Sequence, residues 1–155
     1  MHKQLILSLF ICAGCFFFYS CDPCNNLDCV TSSFHGQFRL VRKTDGKDLV
    51  FGPGAIYDKT AIKFYTLTGT DTTFLNYSPI KFPGTGYDSI LFVYFFPKVT
   101  TPVYMRLNNS DTDTLSLTYN TFDTKCCGTI TEISNFLYNN TINIPGNRGT
   151  EEIKK

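Results

Sequence analysis

The side chains with the most chemistry in this 155-residue chain are seven cysteines, an aspartate pair at Asp111 and Asp113, and His35. Thiols can cross-link, hold zinc or attack as thiolates, and their spacing narrows the choice. Cys21-Asp22-Pro23-Cys24 has the spacing of a redox pair, which needs a free thiolate at a helix N-terminus. Cys24, Cys29, Cys126 and Cys127 supply the ligand number of a zinc site. Adjacent ligands on opposite faces of a strand converge poorly on one tetrahedral ion, so these four are read as disulfide cysteines and no metal is expected. On a strand, Asp111 and Asp113 would share a face, where paired carboxylates could serve hydrolysis. With Asn108, Asn109 and Ser110 they could instead form a calcium loop, but the glycine and the distal glutamate of such a loop are missing. A solvated hairpin turn is the expectation there, with no catalytic residue. His35, behind Ser32, Ser33 and Phe34, reads as a surface or capping side chain. No glycine-rich turn leads from a strand into a helix to cradle phosphate, and no cofactor is expected.

The N-terminus indicates the compartment in which such cysteines would work. Lys3 stands in an acid-free start, residues 5–19 (LILSLFICAGCFFFY) are almost uninterrupted in their apolarity, and the small Ser20 precedes Cys21. Basic start, apolar middle and small residue at the cut are the layout of a secretory signal over residues 1–20. Fifteen residues are short for a bilayer-spanning helix, which needs about 20. Phe18-Tyr19-Ser20-Cys21 resembles the lipobox of bacterial lipoproteins, although aromatic residues stand where Leu-Ala types are usual. In that group the peptidase cuts directly before a cysteine whose sulfur carries a diacylglycerol. Cys12-Ala13-Gly14-Cys15 is a rival, but a cut before Cys15 gives an unusually short signal and leaves Phe16, Phe17 and Phe18 with nothing to bury them. The resemblance therefore implies lipid attachment at Cys21 and anchorage of the chain to a membrane.

Counting thiols agrees with that cut. Cys12 and Cys15 leave with the signal and Cys21 is lipidated, so Cys24, Cys29, Cys126 and Cys127 remain, an even number suited to an oxidising compartment. A Cys126–Cys127 bond would strain a ring between neighbours. Cys24 and Cys29 are then expected to cross one each to the Cys126-Cys127 pair, and if TKCCGTIT is a strand the bridges should lie on opposite faces of it.

Removing 20 of the 155 residues leaves 135, a comfortable single-domain length, with thirteen basic and thirteen acidic side chains once Lys3 has gone. That balance offers no electrostatic surplus for nucleic acid or anionic lipid, so attachment should come from the lipid itself. Residues 21–35 are expected to form a lipidated linker carrying disulfide cysteines, 36–146 a β domain, and 147–155 a polar, frayed tail.

The domain reads as strands: GQFRLVRK, DLVFG, AIKFYTL, TTFLNYS, SILFVYFF, PVYMRLN, TLSLTYN, GTITEI and NFLYNNTINI. These runs are rich in Phe, Tyr, Thr, Ile and Val and are divided by Gly, Pro, Asn and Asp. Their spacing predicts an all-β fold, an antiparallel β-sandwich of immunoglobulin-like or related kind, with a barrel as the alternative. ILFVYFF, residues 90–96, does not alternate and should be a central strand covered on both faces. Asp45-Gly46 between apolar runs is the strongest hairpin signal.

The succession Lys47-Asp48-Leu49-Val50-Phe51-Gly52, Ile62-Lys63-Phe64-Tyr65, Asp113-Thr114-Leu115, Lys125-Cys126-Cys127-Gly128 and Leu137-Tyr138-Asn139 is similar to small, uncharacterised outer-membrane lipoproteins of Bacteroidota-type bacteria. That resemblance implies an outer-membrane lipoprotein with a β-sandwich domain and carries over no catalytic residue. Asp71-Thr72-Thr73, Asp88-Ser89-Ile90 and Asp113-Thr114-Leu115 likewise resemble that group's short O-glycosylation acceptors. The leading expectation is a non-enzymatic binding or structural module at the cell envelope, with eight of the chain's nine tyrosines left beyond the signal to offer contact to a protein or glycan ligand. A periplasm-facing inhibitor or assembly factor is the alternative, and a hydrolase using Asp111 and Asp113 comes last.

Overall fold

In HGQFRLV, β1 (His35–Val41), the side chains of Phe38 and Leu40 go to one buried face while Gln37 and Arg39 do not, the period-two pattern of a half-covered strand. A computed structural model describes residues 24, 29, 34–85, 88–96, 102–146 and 149–155. The signal segment, Cys21, its rival Cys15 and most of the 21–35 linker lie outside them. Nine more strands follow: β2 (Lys63–Thr68), β3 (Asp71–Phe74), β4 (Tyr77–Ile80), β5 (Ile90–Tyr94), β6 (Val103–Arg106), β7 (Thr112–Thr124), β8 (Gly128–Tyr138), β9 (Ile142–Pro145) and β10 (Glu151–Lys154). They form a four-stranded sheet, β10-β1-β5-β4, and a six-stranded sheet, β3-β2-β6-β7-β8-β9, with no helix among the described residues. The sheets do not close into a barrel; the fold is a β-sandwich.

Aromatic side chains join the two layers. Phe38 of β1 meets Phe136 of β8 edge-on at 5.1 Å between ring centroids, Phe95 approaches Phe136 at 5.4 Å, and Phe64 of β2 meets Tyr77 of β4 at 5.4 Å. Phe38, Phe64, Met105, Leu115 and Ile133 are almost fully buried. Each such side chain contributes about 1.5–3 kcal/mol by leaving water, and truncating Phe38 to alanine would cost about 3–5 kcal/mol.

Four of the expected strands behave differently. TTFLNYS divides: β3 pairs with β2, then Leu75 N–H still bonds to Phe64 O, while Asn76 O already accepts from Tyr94 N–H of the other sheet. Burial of Leu75 between the layers lets the chain change sheets within one residue. DLVFG is not a strand. The Asp45-Gly46 turn forms, with Gly46 at φ 69° and Arg42 N–H bonded to Lys47 O, but pairing stops after one bridge, Val41 with Asp48. Asp48 Oδ1 then accepts from the N–H groups of Val50 and Phe51, which turns the backbone away. GTITEI and NFLY join into the single strand β8, which passes a bulge opposite Thr118 and Tyr119. Gly146 crosses that bulge so closely that a Cβ there would lie 2.0 Å from the Ile133 carbonyl oxygen.

ILFVYFF is interior to its sheet, between β1 and β5's other neighbour β4, yet its outer face is covered only in part. Ile90 is fully buried, Phe92 is half-buried beneath His35, and Tyr94 is exposed. The C-terminal segment also departs from expectation. Instead of fraying, Glu151–Lys154 pairs in parallel with β1, from Phe38 opposite Glu151 to Val41 opposite Lys154. Ile153, 2% exposed, supplies the burial that holds it there.

β7 and β8 are the longest pair, in register from Leu115 opposite Tyr138 to Thr124 opposite Gly128. Their flanking strands stop early: β6 reaches only Leu115 and β9 only Asn135. Among the described residues, the hairpin beyond the bulge runs on as a two-stranded arm. Such a ribbon is marginal alone in water, so something else must hold it.

Candidate functional site

The arm is held by covalent bonds at its tip. Cys24 joins Cys126 and Cys29 joins Cys127, with Cα–Cα distances of 5.1 and 5.4 Å. Crossing of Cys24 and Cys29 to the adjacent pair is as the sequence implied, but the position of that pair is not. Cys126 and Cys127 occupy the turn between β7 and β8, so they do not project from opposite faces of one strand. The turn needs Gly128 at φ 66°, and Thr124 Oγ1 closes it by accepting from Cys127 N–H and donating to Gly128 O. Below the tip, Phe34 packs on Tyr119 at 6.2 Å, and Thr129 Oγ1 donates to Asp123 Oδ1 at 2.6 Å across the strands. All four disulfide cysteines are therefore consumed, leaving none of them to ligate metal or act as a thiolate.

At the opposite end of the same hairpin, Asp111 and Asp113 meet a residue that sequence reasoning had placed in a loose tail. Lys155 Nζ donates to Asp111 Oδ1 at 2.7 Å and to Asp113 Oδ2 at 2.6 Å. Tyr57 OH donates to Asp111 Oδ2 at 2.5 Å, and Asn139 Nδ2 donates to Asp113 Oδ1 at 2.8 Å. Tyr138 also hydrogen-bonds Asp113. Lys155 is brought there by β10, through its N–H to Val41 O and its carbonyl to Lys43 N–H. Asn139 is aimed by the β8–β9 turn, where Asn139 and Asn140 both have positive φ and Asn139 Oδ1 accepts from Thr114 N–H.

Burial opposes ionisation of Asp111, but the hydrogen bonds from Lys155 and Tyr57 more than offset it and hold the carboxyl below its ordinary range. Burial, reinforced by the neighbouring carboxylates, pushes the Tyr57 and Tyr138 hydroxyls far above theirs. Every carboxylate oxygen thus receives a donor. The arrangement suits a charge-balanced lock, and it offers no unengaged base or nucleophile for hydrolysis. Asn108 and Ser110 form the expected turn, Ser110 N–H bonding to Asn108 Oδ1, but Asp113 is buried and Asp111, part-exposed, turns to Tyr57 and Lys155. Nothing in the sequence pattern pointed to Tyr57, Tyr138, Asn139 or Lys155 as their partners.

His35 stacks on Phe92 at 4.7 Å, and burial lowers its pKa. Among the three acceptor-like tripeptides, Thr72 and Thr73 are exposed on β3. Ser89 is half-buried, and Thr114 is engaged with Asn139.

A further surface was not anticipated. On the outer face of the six-stranded sheet, Phe74, Tyr65 and Tyr104 lie in one cross-strand row, because Tyr65 is in register with both of the others. Tyr65 and Tyr104 stack at 5.2 Å, and Phe74, 59% exposed, leans on Tyr65 at 6.0 Å. Beside Phe74 the chain leaves for the other sheet, which opens a cleft of about 350 Å³ lined by Lys63, Phe64, Phe74, Leu75, Asn76 and Tyr77. Alternation in KFYTLT and VYMR sends Tyr65 and Tyr104 outward, but only the strand pairing makes them neighbours.

The chain matches no protein-family model, no curated protein and no solved structure.

Proposed function

We propose that the protein is a lipid-anchored module of the bacterial outer membrane, attached through Cys21 and acting by binding rather than catalysis. The observation that carries this reading is the double disulfide between Cys24, Cys29 and the β7–β8 tip. A chain tethered by its N-terminus needs that terminus fastened to the fold, and Cys24 follows Cys21 by only three residues. Disulfides of this kind belong to an oxidising compartment, as an exported protein requires. The aromatic row on the outer sheet face supplies a surface for contact, since tyrosine and arginine dominate the energetics of protein interfaces.

Metabolic labelling with an alkyne-palmitate in a bacterial host expressing the full chain tests the anchor. The wild-type protein should take up label and fractionate with membranes, and Cys21→Ser should lose both properties. Labelling that persists in Cys21→Ser, or a wild-type protein that is never labelled, would overturn the anchor at this residue.

A further inference from the structure

Two cations face each other on the same sheet face. Lys63 of β2 is directly opposite Arg106 of β6, both are exposed, and neither forms an ion pair among the described residues. Like charges directly opposite in an antiparallel pair repel and destabilise it. The pair stands one row from Tyr65 and Tyr104, and Lys63 also lines the cleft beside Phe74. An anion set between the two cations would remove the repulsion, and an apolar group reaching the cleft would cover Phe74.

We propose that this face docks a protein segment in which a carboxylate lies next to an aromatic or large aliphatic side chain. The carboxylate sits between Lys63 and Arg106, and the apolar side chain enters the cleft against Phe74 and Leu75. Charge complementarity fixes the sign of the partner. The ring arrangement favours protein over glycan: Tyr65 and Tyr104 stack on each other instead of lying flat for a sugar, and the cleft is walled mainly by apolar side chains. The proposal rests on the binding-module reading and names the partner of that surface; the Cys21 labelling experiment tests the anchor independently.

The test uses the full chain without its signal segment and with disulfides intact, isotopically labelled for NMR titration. The probes are four: an Asp-Phe repeat peptide, an Asp-Ala repeat peptide, a Lys-Phe repeat peptide and an oligogalacturonate. The Asp-Phe peptide should produce saturable shifts at Lys63, Phe74, Asn76 and Arg106 that weaken with added salt. Lys63→Gln with Arg106→Gln should weaken binding at least tenfold, and Phe74→Ala should reduce Asp-Phe binding to the level of Asp-Ala. Arg42→Gln with Lys47→Gln, at the β1 turn, should leave it unchanged. Equal binding of the Lys-Phe or Asp-Ala peptide, tighter binding of the oligogalacturonate, shifts centred elsewhere, or no saturable shift would each overturn the proposal.

Discussion

The two ends of the β7–β8 hairpin are fastened by opposite means. At the tip, two covalent bonds tie in the segment that precedes β1. At the root, an ion cluster ties in Lys155, the residue that follows β10. The difference follows from what each end can bury. Among the described residues the arm has no flanking strands and its Phe122 is 43% exposed, so apolar burial of the preceding segment there is limited to the packing of Phe34 on Tyr119. The root lies against the core, where Ile153 and Tyr138 are almost fully covered and charged groups hold only if every one finds a partner. One hairpin thus anchors both flanks of the chain, covalently at its exposed tip and electrostatically at its half-buried root.

The largest effect should come from the tip. The first disulfide closes a loop of about a hundred residues and contributes about 4–5 kcal/mol in the chain-entropy treatment. With that loop closed, the second only completes a ring of roughly eight residues and contributes about 2–3 kcal/mol. Removing either pair alone, as Cys24→Ala with Cys126→Ala, should therefore cost about 2–3 kcal/mol, and removing both about 7 kcal/mol. Urea unfolding of the three variants measures this. Single losses of 4–5 kcal/mol each would mean that the bonds act by fixing local geometry and not by loop closure.

At the root, Asp113→Ala takes one of the two carboxylates from Lys155, which keeps Asp111, and leaves the Asn139 amide and the Tyr138 hydroxyl without their acceptor. The expected cost is about 1–3 kcal/mol, with faster amide exchange confined to β10 and the end of β1. Loss of protection in the arm instead would break the distinction between the two ends.

The strands and the disulfide crossing were legible in the sequence because both follow from local features, residue alternation and thiol count. The sheet change at Leu75-Asn76 was not, since TTFLNYS has the composition of one continuous strand and only the competition between two sheets for its backbone divides it. DLVFG was misjudged because the Asp48 side chain captures two backbone N–H groups that a partner strand would have used. The polar look of TEEIKK hid β10: one buried isoleucine and one lysine with two distant carboxylates suffice to dock it, and such long-range pairs leave no periodic trace. Asp111 and Asp113 drew attention as a possible dyad, but their function as a lock depends on Tyr57 and Lys155, 54 and 44 residues from Asp111 in the chain.

The smallest effect is the response to pH, and it too separates the ends. The folded-state pKa of Asp111 is depressed, so its contribution is present above the unfolded value near 3.8 and is lost as pH falls through the lower folded value. Tyr57 and Tyr138 are raised, so theirs is complete below the unfolded value of 10 and is lost as pH rises through the higher folded values. Stability measured against pH should fall at both extremes, while Asp111→Asn should flatten the acid limb. The disulfides carry no proton between these limits, so the tip should stay closed throughout.

The position of the clamp also decides how the molecule bears load. Tension applied through an N-terminal tether would otherwise enter at His35 and peel β1 from β5 and β10 one residue pair at a time. Because Cys24 and Cys29 come first, the pull leaves the main chain there and passes through sulfur to the hairpin tip. From that point it runs along β7 and β8 for roughly 40 Å, spread over their whole ladder at once. The clamp is a bypass for force: it spares β1, whose Phe38 and Leu40 are buried in the core, and loads the longest hairpin among the described residues.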